Sequence, residues 1–223
     1  MSKKIDRALY GPSWSEVIIG AVLSAVIGAV LAMVWLATKP VEKVRELPKE
    51  PVAGLVYYIE GSANSTQGRQ WSAKRQSFIQ GTSVTVTEQE LNTALKTLET
   101  DAAKAKKPEE KTEPGMITPG ALNFRIHDNL LQIGAPIDLL IYGMKTQVQV
   151  VAQGTFERRG DKFAFDPQKI YVGSCQVERL PIVSGMVMGK LLAAANLPTD
   201  LTEAWGRLAD VSIEGSELKL VMP

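Results

Sequence analysis

The chain has 223 residues, 45% of them hydrophobic, and a net charge of +1. Near-balance argues against a nucleic-acid binder, whose domain usually carries a basic excess, and it gives no strongly acidic surface. A single cysteine, Cys175, and a single histidine, His127, exclude an internal disulfide and any metal site built from several His or Cys.

Residues 1–16 are a short tail carrying Lys3, Lys4 and Arg7. Val17 to Ala37 then runs for 21 residues without a charge. At about 1.5 Å per helical residue this reaches roughly 30 Å, the thickness of a bilayer core. The run is longer than the apolar region of a cleaved signal peptide, and Trp35 stands where a cleavage site wants a small residue. The expected element is an uncleaved single-pass helix bounded by Trp14 and Trp35, whose indole rings favour the headgroup zone. Basic residues flank it on both sides, so charge hardly discriminates orientation. A short tail followed by a large domain places the N-terminus in the cytoplasm and the domain outside it. Gly20, Ser24 and Gly28 recur four apart on one face, a spacing that lets helix backbones approach closely. This makes a second copy, or a partner membrane protein, a candidate neighbour of the span.

Thr38 to Pro51 holds three prolines and alternating charges and reads as a stalk lifting an extracytoplasmic domain, residues 52–223, off the membrane. "LVYYI" (55–59) is a short strand candidate, and Arg69 to Gln80 a helix stopped by Gly81. In "SVTVTEQELNTAL" (83–95) the period changes from two to nearly four without a loop. Thr87 followed three residues later by Glu90 predicts a capping box, and Leu91, Leu95 and Leu98 form the apolar line of the helix it starts. Asn92 lies off that line and reads as a solvated or locally bonded amide. Residues 99–115, rich in Lys, Glu and Pro, read as a flexible charged insert.

From Gly120 onward the alternation is that of strands, with a turn at Asp128-Asn129, another at "ERRGD" (157–161), and glycines at 134, 143, 154 and 173 marking bulges or bends. Pro181 to Asn196 predicts a helix, apolar on nearly every side and therefore buried. Thr199 to Leu208 predicts a short helix, and Val211 to Leu220 a closing hairpin. The predicted fold is α+β: an N-terminal transmembrane helix, then a curved antiparallel sheet packed on one or two apolar helices.

The order of one span, a strand leading into "T-E-x-x-L-N" (Thr87, Glu88, Leu91, Asn92), a long antiparallel sheet and a helix after Leu180-Pro181 resembles the YpmS-like family of single-span bacterial membrane proteins. More loosely it resembles tubular lipid-binding and AsmA-like domains. The resemblance covers about Val84 to Met222. It implies a curved sheet and an inner-membrane location but carries no established activity.

Two function classes stay open. A curved sheet around an apolar helix leaves room for a lipid or other apolar ligand, with Met144, Met186, Met188 and Met222 as adaptable lining. The residues assigned to that lining are Leu139, Ile141, Met144, Val148 and Val150 from the sheet, and Ile182, Val183, Met186, Val187 and Leu191 from the helix. Alternatively the domain is a non-catalytic scaffold of a membrane complex, or its core is simply filled. An enzyme is not expected. His127-Asp128 cannot form a triad by adjacency, Cys175 reads as a core thiol, and no phosphate loop, metal spacing or nucleophile elbow is present. No cofactor, metal or nucleic-acid partner is implied.

Overall fold

The computed structural model describes residues 11–50, 52, 55–64, 68–105, 117–141, 144–178, 181–194 and 197–223. The first helix, α1, spans Trp14–Thr38 and is long and apolar enough to cross a membrane, with none of its residues buried in the protein. It starts three residues before the uncharged run because Ser13 caps it: the Glu16 N–H donates to Ser13 Oγ and the Ser13 N–H to the Glu16 carboxylate, both at 3.3 Å.

The segment beyond α1 is not the expected stalk. The helix end docks directly on the domain, where the Ser174 N–H donates to the Leu36 carbonyl at 3.0 Å. The chain then forms β1 (Glu42–Val44), paired in parallel with β2 (Tyr57–Ile59). Glu42–Val44 of the stretch is therefore held against β2 and is not part of a free tether. Gly173 makes the docking possible: its φ of +58° suits glycine, and a Cβ there would come within 2.1 Å of the Ala37 carbonyl oxygen.

Helix α2 (Gly68–Ile79) ends at Gly81, which has φ +89°. Strand β3 (Val84–Thr87) runs straight into α3 (Glu88–Ala105) at the expected corner. The capping box is present, with the Thr87 N–H donating to Glu90 at 2.9 Å and the Glu90 N–H to Thr87 Oγ1 at 3.4 Å. Glu90 is 2% exposed and is also held by Lys74 Nζ at 2.7 Å, so the carboxylate that caps the helix is itself paired. Thr87→Ala removes one cap acceptor and should cost about 1 kcal/mol in a thermal melt, with no direct effect on any ligand. The helix continues to Ala105, well into the segment expected to be an insert. Residues 106–116 of that segment lie outside the described residues.

The main sheet has six strands: β4 (Ile117–Pro119), β5 (Asn123–His127), β6 (Leu130–Ile141), β7 (Met144–Arg159), β8 (Lys162–Val172) and β9 (Cys175–Gln176). All pairings in it are antiparallel, with β4 and β5 sharing one edge of β6. Asp128 and Asn129 take φ of 52° and 59°, the left-handed pair of a tight hairpin turn. The register shifts between Gln153 and Gly154, where a Cβ on Gly154 would lie 2.0 Å from the Asp166 carbonyl oxygen. That bulge bends the sheet. Gly134 serves a different purpose: it leaves room for the Tyr58 ring on the outer face of the sheet.

Helices α4 (Pro181–Ala194) and α5 (Thr199–Trp205) precede the hairpin β10 (Asp210–Glu214) and β11 (Glu217–Val221). This hairpin does not join the main sheet. It pairs through β11 with β3, making a separate three-stranded sheet. The corner at Thr87 thus leads from the small sheet to a helix on the edge of the large one. The core of Leu131, Ile133, Val150, Ile170, Leu191 and their neighbours lies on the inner face of the large sheet. Each side of the fold is therefore an element whose apolar face needs the other.

Candidate functional site

The large sheet, the small sheet and the helices share one hydrophobic core, and a cleft cuts into it. This open cavity has a volume of about 890 Å3. Leu131 and Ile133 of β6, Phe156 of β7 and Phe165 and Ile170 of β8 form its floor. Val84, Val86, Leu218 and Leu220 of the small sheet form a second wall. Trp71 and Phe78 of α2, Leu91 of α3, Met188 and Leu191 of α4, and Leu201 and Trp205 of α5 close the rest. The space is open to solvent, with Gly185, Gly189, Leu197 and Thr202 exposed in its lining. It lies within the range of about 300–1,000 Å3 typical of ligand sites.

The aromatic wall is packed ring against ring. Phe156 meets Phe165 edge-on with centroids 5.8 Å apart, and Phe156 lies 5.4 Å from Trp205. The Trp205 indole N–H donates to the Phe163 carbonyl at 2.8 Å, so its polar atom is satisfied and its apolar face is left for the cavity. Polar lining gathers where the β7–β8 hairpin reaches solvent, at Arg159, Lys162 and Asp166.

Of the ten residues expected to line a cavity, Leu191 does so. Val148 and Val150 are buried on the inner face of the sheet, while Leu139 and Val187 pack partly against the core, all away from this cavity. Met186 is 59% exposed and points away from the cavity, whereas Met188, half a turn on, is buried and lines it. The side chains of Ile141, Met144, Ile182 and Val183 lie outside the described residues. Helix α4 is correspondingly not buried all round: Met188 and Leu191 face in, Gly185 and Gly189 are exposed at the cavity's open side, and Met186 and Lys190 are exposed away from it. Gly20, Ser24 and Gly28 lie on the exposed surface of α1.

Two polar side chains just past the β3–α3 corner, Glu88 and Asn92, hold β5 in place. Asn92, expected to be a solvated or locally bonded amide, is 3% exposed and bonds to residues far along the chain. Its Nδ2 donates to the carbonyls of Ser62 at 3.0 Å and Phe124 at 2.7 Å, and its Oδ1 accepts from the Phe124 N–H at 2.7 Å. Glu88 accepts from the Ile126 N–H at 3.1 Å and from Ser62. Together they satisfy the outward N–H and carbonyl of Phe124 and the N–H of Ile126 on β5, an edge strand that would otherwise be more open to foreign pairing. Gly61 lies so close that a Cβ would overlap the Phe124 carbonyl oxygen.

His127 and Asp128 are 3.3 Å apart on an exposed turn. Cys175 is 6% exposed, and burial pushes its thiol up, away from the thiolate that nucleophilic chemistry needs. Among the described residues no group of three or more His, Cys, Asp or Glu could hold a metal ion.

No protein-family model, curated protein or solved structure matches this chain.

Proposed function

We propose that the protein is a membrane-anchored, extracytoplasmic binding domain that holds a lipid or another ligand with an apolar chain. The observation that carries this reading is the 890 Å3 cavity between the two sheets, walled by aromatic and aliphatic side chains. Apolar walls of this kind gain dispersion contacts and lose contact with water when an apolar chain lies against them. Two further features support the reading. Helix α1 supplies an anchor of bilayer length. Its end is hydrogen-bonded to the domain through Leu36 and Ser174 with no tether between, so a spanning α1 holds the domain itself at the bilayer surface.

In this reading α1 is a single pass, the short N-terminal tail is cytoplasmic, and the membrane is the inner membrane of a bacterium, as in the YpmS-like proteins the sequence resembles. The domain is non-catalytic and uses no cofactor. Its role is to shelter an apolar chain from water.

The test is native mass spectrometry of the full-length protein released from detergent. The expected result is a population carrying one adduct of lipid mass that organic extraction removes. A single adduct-free mass under conditions that preserve known lipid complexes would remove the binding reading. The non-catalytic scaffold would then stand, with the exposed Gly20, Ser24 and Gly28 line as its contact.

A further inference from the structure

Resting on the binding reading, we infer that the ligand is an amphiphile with an anionic head, and that Lys162 at the cavity mouth reads that head. Four charged side chains take part in the cavity wall: Lys74, Arg159, Lys162 and Asp166. Lys74 is spoken for, since its ammonium lies 2.7 Å from Glu90 and donates to the Thr85 carbonyl at 2.7 Å. Arg159 and Asp166 neutralise each other at 2.7 Å, with Glu157 also 3.7 Å from the Arg159 Nε. Lys162 is left: among the described residues no acidic group lies within ion-pair distance of it.

The placement of Lys162 fits the role. It begins β8, directly after the turn that follows Arg159, and is exposed while still lining the cavity. Its Cε reaches to 3.9 Å from where a Cβ on Gly206 would stand, beside Trp205. The aliphatic stem therefore reaches the wall beside Gly206 while the residue stays open to solvent, as lysine stems commonly do at apolar boundaries. An apolar chain in the cavity would bring its polar end to the same place, because the inner walls offer it aromatic and aliphatic side chains. One uncompensated positive charge there favours an anionic head over a neutral one and opposes a cationic one. A carboxylate and a phosphate share this chemistry.

The test uses the full-length protein in an uncharged amphipathic polymer free of lipid, carrying Trp14→Phe and Trp35→Phe so that emission comes from Trp71 and Trp205, both in the cavity wall. Hexadecanoic acid, hexadecyl phosphate, hexadecanol and hexadecyltrimethylammonium are titrated below their micelle concentrations. Both anions should bind more tightly than the alcohol, and the ammonium most weakly. The stronger of the two anions indicates whether the head is carboxylate or phosphate. Lys162→Gln should reduce anion affinity about two- to fivefold, the range of an exposed ion pair, and leave the alcohol unchanged. Equal binding of acid and alcohol by the parent, or an unchanged preference in Lys162→Gln, would overturn the assignment of the head group while the cavity reading survives. Binding of none of the four would overturn the cavity reading, and this proposal with it.

Discussion

Asn92→Ala should be among the most destabilising single substitutions in the domain. The side chain is 3% exposed and makes three hydrogen bonds, two of them to the outer edge of β5 through Phe124. Truncation removes the partners of the half-buried Phe124 N–H and carbonyl and leaves a void where a buried side chain stood, while the carbonyl of Ser62, an exposed residue, can turn to water. Each stranded buried group costs about 1–3 kcal/mol; allowing for local relaxation, the expected loss is about 2–4 kcal/mol. For a chain of this size that lowers the melting temperature by roughly 5–15 °C. Asn92→Asp keeps the acceptor for Phe124 N–H but loses both donations, and should fall between parent and alanine variant. Thr87→Ala, which touches the same helix but removes only a cap, is the comparison that separates a bridging amide from general helix damage. A melting curve of Asn92→Ala that overlays the parent would show that the bridge to β5 is absent.

The second large effect is on binding. Gly189 lies in α4 and lines the cavity, and a Cβ built there meets nothing within 4 Å. A phenylalanine side chain at this position can occupy the space an apolar ligand needs. Replacing a helix-interior glycine also removes a conformational penalty of up to about 1 kcal/mol. Gly189→Phe should therefore keep or raise the melting temperature while reducing acyl-chain binding at least about tenfold, the consequence of losing only ~1.4 kcal/mol of contact. Met186→Phe is the control: the same helix gains the same ring, but Met186 is 59% exposed and outside the cavity. It should bind like the parent. Loss of binding in both variants would show that α4 as a whole, and not the space beneath it, matters.

The elements are legible from periodicity, and the positions of their faces often are not. Val84 and Val86 alternating into Leu91 and Leu95 mark the corner, and Thr87 with Glu90 marks its cap, because both signals lie within a few residues of each other in the chain. The role of Asn92 has no such signal, since its partners Ser62 and Phe124 are brought to it only by the fold. The stalk expectation fails for a related reason. The composition of that stretch is that of a linker, but Gly173 and Ser174, far along the chain, provide a seat for the helix end. The expected cavity lining differs from the observed one because α4 is apolar at nearly every position. Without an amphipathic period, nothing in the sequence says that Met188 faces in and Met186 out. A better signal is present in the aromatic residues: Trp71, Phe78, Phe156, Phe163, Phe165 and Trp205 all line the cavity. Several of them cluster around the β7–β8 turn, where two strands and a helix must meet around bulky side chains.

The most direct measurement of the central claim is quenching by a brominated fatty acid of the full-length protein carrying Trp14→Phe and Trp35→Phe, compared with the same protein also carrying Gly189→Phe. Bromine quenches only at close range, and the remaining indoles, Trp71 and Trp205, stand in the cavity wall. An acyl chain in the cavity predicts saturable quenching of the parent at about one equivalent and its loss in Gly189→Phe. Absence of quenching in the parent, or equal, non-saturating quenching in both proteins, would contradict it.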